Sequence, residues 1–198
     1  MRRFAVAWAT ALGLLAAGFF LSAGSSQAGI DKKEMNSALA KIAKAIESGD
    51  DATAKKEAQA LAKKIDDLDD LMHSFKPRDK KGLGVGSKAG VVQPDGIEQK
   101  LNAISRDGIT PGQMKKEAEN LVEAAWMTAA IGEVTVFKAP EKDKGKKTKA
   151  RWTQYSKGTV AAAKEMAKAA KDMDVNAVKT AAVKVNNQCN SCHMYFRD

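Results

Sequence analysis

Cysteine, proline and aromatic residues are all scarce in this sequence. The 198 residues include two cysteines, four prolines and 15 glycines, and only 6% are aromatic. Two cysteines form at most one disulfide, which excludes a disulfide framework, and the modest glycine and proline content excludes a collagen-like chain. Because 44% of the residues are hydrophobic, the composition also excludes a wholly disordered chain and predicts one globular domain.

Long hydrophobic runs are missing except at the amino terminus. Arg2 and Arg3 precede an uncharged apolar run over residues 4–21, and Ser26-Gln27-Ala28 is typical of a signal-peptide cleavage site. The sequence therefore predicts a signal peptide over residues 1–28, cleaved near Ala28, and a periplasmic location for the mature protein. The alternative is a retained membrane anchor, since about 18 apolar residues come close to the length that spans a bilayer.

The rest of the sequence predicts an all-α fold. Helix-favouring Ala, Lys, Glu and Met dominate it, and apolar residues recur at alternating spacings of three and four. Many of these seam positions are Ala, Val or Thr, so the bundle either closes tightly or holds something large. The predicted helices cover residues 31–48, 51–75, 111–134, 151–171 and 175–196, with a short helical piece near 96–106 and lysine-containing loops over 80–94 and 139–150.

The motif that carries chemistry lies near the carboxyl end. Cys189, Cys192 and His193 form the pattern C-x-x-C-H, the attachment pattern of c-type haem. On a helix, Cys189 and Cys192 share one face, so both thiols reach the vinyl groups along one edge of a porphyrin. The motif predicts one covalently attached haem c, with Cys189 and Cys192 as thioether links and His193 as an axial iron ligand.

Three other interpretations of the two cysteines stay open. A thioredoxin-like C-x-x-C requires a preceding strand and a following domain, neither of which the sequence predicts. A structural zinc site requires four ligands, and the fourth, His73, is far from the motif in sequence. A disulfide between Cys189 and Cys192 is the third alternative, and it would leave a haem-free structural helical protein.

The last hairpin resembles the class II cytochromes c, the cytochrome c′ family. The matching features are Trp152 at the start of a helix, a short turn at residues 172–174, the C-x-x-C-H motif and the following Phe196-Arg197. The resemblance implies a four-helix bundle with the haem on its last helix. The hairpin over residues 35–75 also resembles the first two helices of that family.

Residues 76–150 depart from the family pattern, because the family has a short loop where this chain has a longer stretch with an extra helix. We therefore expect a cytochrome c′-like four-helix bundle with an inserted loop and an extra helix. The expected domain organisation is a signal peptide at 1–28 and a single haem-binding domain at 29–198 with an insertion at 76–150. The extra helix is an alternative to the first helix as the neighbour of the haem.

The resemblance also implies roles for individual residues. The family has either Met or an apolar residue near the start of its first helix, facing the iron, and Met35 is the residue nearest that position. The simpler interpretation of Met35 is a core residue. Arg197 resembles the family arginine that neutralises a haem propionate, and the simpler interpretation is a cation that stabilises the helix terminus. The other candidate ligands are Met127, Met72 and His73.

The iron of a haem bound through His193 has one further axial coordination position, the sixth. Two functions follow from whether a side chain occupies that position or leaves it vacant. A Met ligand raises the reduction potential and favours electron transfer. A vacant apolar face would bind a small gas, nitric oxide or carbon monoxide. With two histidines in the chain, one of them on iron, no Ser/His/Asp or Cys/His catalytic set can be assembled, so we expect no enzyme.

The charge of the chain bears on its partners. Lysine and arginine number 33 against 24 acidic residues, a formal net charge of +9. The lysines of the 139–150 loop would attract an acidic redox partner protein. Nucleic-acid binding is not expected, because the protein is predicted to be exported. In addition, no aromatic residues are interleaved with the basic ones. The resemblance also implies a homodimer, which family members form through their first two helices.

Overall fold

The computed structural model describes residues 30–197. The predicted signal peptide at residues 1–28 lies outside the described residues. The described part is helical and has no β-strand beyond one isolated bridge between Lys144 and Lys147. Within it, no helix is both long enough and apolar enough to cross a membrane. Its α-helices are α1 (Lys32–Glu47), α2 (Asp51–Lys64), α3 (Leu68–His73), α4 (Ile97–Asp107), α5 (Pro111–Val136), α6 (Lys149–Lys171) and α7 (Val175–Phe196), with a 3₁₀ turn at Arg78–Lys80.

The all-α fold that the spacing predicted is confirmed, and side-chain caps explain why the first helices begin where they do. The Asp31 carboxylate accepts a hydrogen bond from the Glu34 backbone N–H at the start of α1. Asp50 accepts one from Thr53 N–H at the start of α2. Each bond satisfies a donor that the first helical turn leaves free. Between the helices, Gly49 has φ +78°, a left-handed conformation that glycine adopts without strain.

The second predicted helix, residues 51–75, is wrong as a single element. It ends at Lys64, and a separate short helix, α3, follows. Ile65 is extended and buried at 2% exposure, and the carboxylate of Asp67 then accepts a hydrogen bond from Asp69 N–H to begin α3. An aspartate that caps a new helix competes with continuation of the old one. The break makes α2 and α3 two separate helices.

The loop predicted over residues 80–94 is anchored by hydrogen bonds, several of which come from one arginine. The Arg78 guanidinium binds the Asp95 carboxylate and the carbonyl oxygens of Val85 and Gly86. Val85 and Val92 are fully buried. This segment is therefore an anchored loop that leads from α3 to α4.

The carboxyl-terminal helices α4 to α7 form the part of the core next to the C-x-x-C-H motif. Helix α5 begins with a capping box between Thr110 and Gln113, and Pro111 occupies its first position. It runs on to Val136, through residues whose local sequence favours a strand. Helix α5 packs against α6, α6 against α7 and α7 against α4, while α1 and α2 cover another side of α5.

The alanine-rich seam closes tightly between α5 and α6. Gly132 on α5 lies against α6 so closely that an added Cβ would be 3.0 Å from a methyl carbon of Val160. Ala129, Ala163 and Ala167 are fully buried around the same seam. Close approach of this kind fills the interior with backbone where large side chains are missing. A cavity adjoins this close approach, and Gly132 itself lies in its wall together with residues of α4 and α7.

Candidate functional site

Helix α7 places the C-x-x-C-H motif beside the core. Val178, Ala182 and Val185 bury one stripe of the helix completely, and Cys189 continues that stripe one turn later and packs partly buried against the core. Asp174 fixes the start of the helix by accepting hydrogen bonds from Asn176 and Ala177 N–H. Cys189 and Cys192 are both free thiols, so the structure does not contain the disulfide considered as an alternative.

A cavity of about 340 Å³ lies against this end of α7. Its size is within the range of small-molecule and cofactor sites, about 300–1,000 Å³. Cys189, Cys192, His193 and Arg197 all line it, so the structure brings together four of the five residues predicted for the haem site. Apolar side chains from five other parts of the chain and from α7 itself complete much of the wall: Leu68, Met72, Phe75, Leu101, Ile131, Trp152, Phe196.

The cavity is electrostatically suited to neutral thiols and a neutral imidazole. Burial raises the pKa of Cys189 to about 11, and burial together with the nearby Cys189 raises that of Cys192 to about 11. Partial burial, followed by the positive charge of Arg197, lowers the pKa of His193. A neutral imidazole has a free ring nitrogen lone pair, which is the form that binds a metal.

Aromatic contacts hold the last turn of α7 against α6. The rings of Trp152 and Phe196 meet edge to face with centroids 5.0 Å apart, and the Trp152 indole N–H donates a 2.6 Å hydrogen bond to the Thr135 carbonyl oxygen. Tyr155 and Tyr195 stack with centroids 6.2 Å apart. These contacts fix the C-x-x-C-H turn relative to α5 and α6, and they explain why a tryptophan stands at the start of α6.

Another wall comes from α3 and the residues after it. Leu68, Asp69, Met72 and His73 line the cavity from α3. Lys76 follows, and its ammonium lies 2.7 Å from the carboxylate of Glu98 on α4. The sequence analysis did not identify this ion pair. No sequence pattern could have predicted it, because Lys76 and Glu98 are 22 positions apart and belong to different structural elements.

Met35 is the predicted site residue that the structure does not bring to the cavity. Its side chain is buried at 4% exposure in the core that α1 contributes, and no residue of α1 lines the cavity. Met127 on α5 does not line it either. Of the ligand candidates drawn from the sequence, the cavity wall contains Met72 and His73.

The residues present fit a covalently attached haem. Two thiols one helical turn apart and an adjacent imidazole face one largely apolar cavity, and Arg197 and Lys76 supply cations at its wall. Among residues 30–197, no group of three or more His, Cys, Asp or Glu side chains is arranged to hold a metal ion directly. Two cysteine thiols and one imidazole at a single cavity form a donor set that suits a c-type haem.

Comparison with known proteins identifies the family. The chain matches the family model described as Cytochrome C′ over residues 98–197, just over half of its 198 residues. No curated protein and no solved structure matches the chain. The matched segment spans α4 to α7, so it includes two helices from the stretch 76–150 and leaves α1 and α2 outside. With the motif, the all-helical bundle and the family match in agreement, this chain belongs to the cytochrome c′ family.

Proposed function

We propose that this protein is an exported mono-haem c-type cytochrome that transfers electrons. Its family makes it a haem-binding c-type cytochrome. The observation that carries the finer proposal is that Met72 and His73 line the same cavity as His193. A second side-chain ligand would give six-coordinate iron, the state that suits electron transfer.

Each residue of the motif has a distinct task in this proposal. The thiols of Cys189 and Cys192 form thioether links with one haem, and His193 donates a ring nitrogen to its iron. The haem, once bound, supplies a one-electron couple. Arg197, which lines the cavity, pairs with a propionate, since a guanidinium matches a carboxylate in shape and charge.

The remaining parts of the proposal concern location and partners. The sequence at residues 1–28 supports export to the periplasm. The lysine-containing segment between α5 and α6, tied to α6 by a 2.9 Å hydrogen bond from Arg151 to the Lys146 carbonyl oxygen, supports attraction of an acidic redox partner protein. We propose no enzymatic activity. We also propose the homodimer that the family resemblance implies, and sedimentation experiments test it.

A second candidate function is binding of a small gas such as nitric oxide or carbon monoxide. The observation in its favour is the apolar wall formed by Leu101, Ile131 and Phe75. If one of these side chains, and no donor, faces the iron, the sixth position stays vacant and accepts a gas.

One experiment tests the proposal and separates the two functions. The full chain is expressed with haem-maturation machinery, and its mass and visible spectra are recorded in the oxidised, reduced and carbon-monoxide-treated states. We expect a mass gain of one haem and a low-spin spectrum that carbon monoxide does not change. A high-spin spectrum shifted by carbon monoxide would support gas binding, and a colourless protein would contradict both. The double variant Cys189→Ser with Cys192→Ser, expected to carry no covalent haem, is the control.

A further inference from the structure

We propose that His73, on the short helix α3, is the sixth ligand of the haem iron, so that the iron is held by His73 and His193. This inference rests on the proposed function and names the second ligand that it requires. His73 lies outside the matched segment, residues 98–197, so the segment before the family bundle supplies part of the metal site.

The first argument is the inventory of donors in the cavity wall. Apart from the two cysteines and His193, the wall contains one thioether, Met72, and one imidazole, His73. The ammonium of Lys76 is held by Glu98 at 2.7 Å and in its charged form has no lone pair to give. Imidazole and thioether are both established axial ligands of c-type haem iron, so the choice lies between His73 and Met72.

The second argument is the orientation of the His73 ring. Its Nδ1 lies 3.3 Å from the backbone carbonyl oxygen of Asp69, one turn earlier in α3. Donation from Nδ1–H to this carbonyl leaves Nε2 as the nitrogen with the lone pair. A ring N–H bonded to a backbone carbonyl is the arrangement that orients metal-binding histidines and raises their basicity. Met72 instead packs partly buried against the hydrophobic core.

The third argument is position. His73 accepts a hydrogen bond from Lys76 N–H at its carbonyl oxygen, 3.0 Å away, in a tight turn, and residues three apart in such a turn lie on the same side. The charges of Lys76 and Glu98 both act on the pKa of His193. His73 and His193 both line the cavity, one from α3 and the other from α7, and a haem held between two histidines requires them on two different walls.

The test uses the holoprotein and three variants at the proposed site. In His73→Ala, we expect the low-spin spectrum to become high-spin and sensitive to carbon monoxide, and added imidazole to restore the low-spin form. In His73→Met, we expect a low-spin spectrum with a sulfur-to-iron charge-transfer band and a higher midpoint potential, because a Met ligand raises the potential. Magnetic circular dichroism should report two histidines in the wild type. Far-ultraviolet circular dichroism checks that each variant keeps its helices.

The controls are Met72→Leu and Met35→Leu, which remove the alternative sulfur ligands and keep an apolar side chain. We expect both variants to keep the low-spin spectrum. If Met72→Leu or Met35→Leu gives the high-spin form while His73→Ala does not, the inference is overturned and six-coordinate electron transfer stands. If the wild type is high-spin with covalent haem, the inference fails and gas binding is supported. If no covalent haem forms, the proposed function itself fails.

Discussion

The ammonium of Lys76 lies 2.7 Å from the carboxylate of Glu98, and this ion pair joins the wall contributed by α3 to the first helix of the family bundle. A backbone hydrogen bond of 3.1 Å from Glu98 N–H to the Phe75 carbonyl oxygen reinforces the junction. Both side chains are about half exposed, at 44% and 48%, so the pair contributes at most about 1 kcal/mol to stability. Its two charges act on His193 in opposite senses, because Glu98 raises the pKa of the imidazole and Lys76 lowers it.

The first prediction concerns the pKa of His193 in the haem-free protein. Arg197 lowers this pKa and Glu98 raises it. Arg197→Gln should therefore raise the pKa, and Glu98→Gln should lower it further. Nuclear magnetic resonance titration of the imidazole protons measures both changes, and with only two histidines in the chain the signals are readily assigned. Glu141→Gln is the control, and shifts of equal sign in the two test variants would contradict the prediction.

The second prediction concerns alkaline stability without haem. Burial raises the pKa of Cys189 to about 11 in the folded protein, from an ordinary value of 9.0, so the unfolded chain loses this proton first. The free energy of unfolding should fall between about pH 9 and 11, with Cys189 accounting for about 2–3 kcal/mol at the upper end. Urea titrations across this range measure the loss.

Two variants control the alkaline effect. Cys189→Ala should flatten the fall in stability, and Cys192→Ala should flatten it less, because the Cys192 thiol is the less buried of the two. An unfolding free energy that stays constant from pH 8 to 11 would show that the thiols are not shielded from water in the folded state.

The third prediction concerns the hydrogen bond of Trp152. Trp152→Phe removes the donor that binds the Thr135 carbonyl oxygen at 2.6 Å, and it should lower the unfolding free energy by about 1–3 kcal/mol. Trp126→Phe is the matched control, because the Trp126 indole nitrogen has no hydrogen-bond partner within residues 30–197. Urea unfolding compares the two. An equal loss in both variants would assign the effect to ring size and not to the hydrogen bond.

The fourth prediction concerns the close approach of α5 and α6. An alanine Cβ at position 132 would lie 3.0 Å from Val160 Cγ2, and overpacking of this kind costs about 1–3 kcal/mol. The helical preference for Ala over Gly returns about 1 kcal/mol. Gly132→Ala should therefore be neutral to destabilising by about 2 kcal/mol in the wild type, which thermal unfolding will measure.

A double-mutant cycle isolates this contact. In a Val160→Ala background the obstructing methyl is gone, so Gly132→Ala should become stabilising. If the effect of Gly132→Ala is the same in both backgrounds, Val160 is not the neighbour that limits the approach.

The sequence predicted most of the helices because the signals for them are local. Pro111 after Thr110 marked the start of α5, and the turn around Asp172 and Asp174 separated α6 from α7. The break after Lys64 was missed, since the spacing of apolar residues continues through it to Phe75. Only the cap formed by Asp67 reveals it, and an aspartate in an acidic cluster is equally compatible with an exposed helix surface.

The site was predictable where its residues are neighbours in sequence. Cys189, Cys192 and His193 are tied together by helical geometry, and the structure places all three at one cavity. The predicted role of Met35 depended on which helix faces the cavity. Packing between segments that are distant in sequence decides this. Periodicity shows that α1 has an apolar face but not what that face meets. The contribution of α3 is of the same kind, because Leu68 and His73 reach the cavity through a turn that the spacing pattern hides.

The single guanidinium of Arg78 has a consequence for how the wall of the cavity holds its shape. It binds the Asp95 carboxylate shortly before α4 and two carbonyl oxygens within the glycine-containing loop, two residues after Lys76. Hydrogen bonds and an ion pair from the Arg78 side chain thus connect the loop to the residues just before α4, where no helix or strand makes that connection. Arg78 does not line the cavity, but its bonds connect the segment that follows α3 to a residue just before α4. Weakening them should therefore loosen two parts of the cavity wall at once.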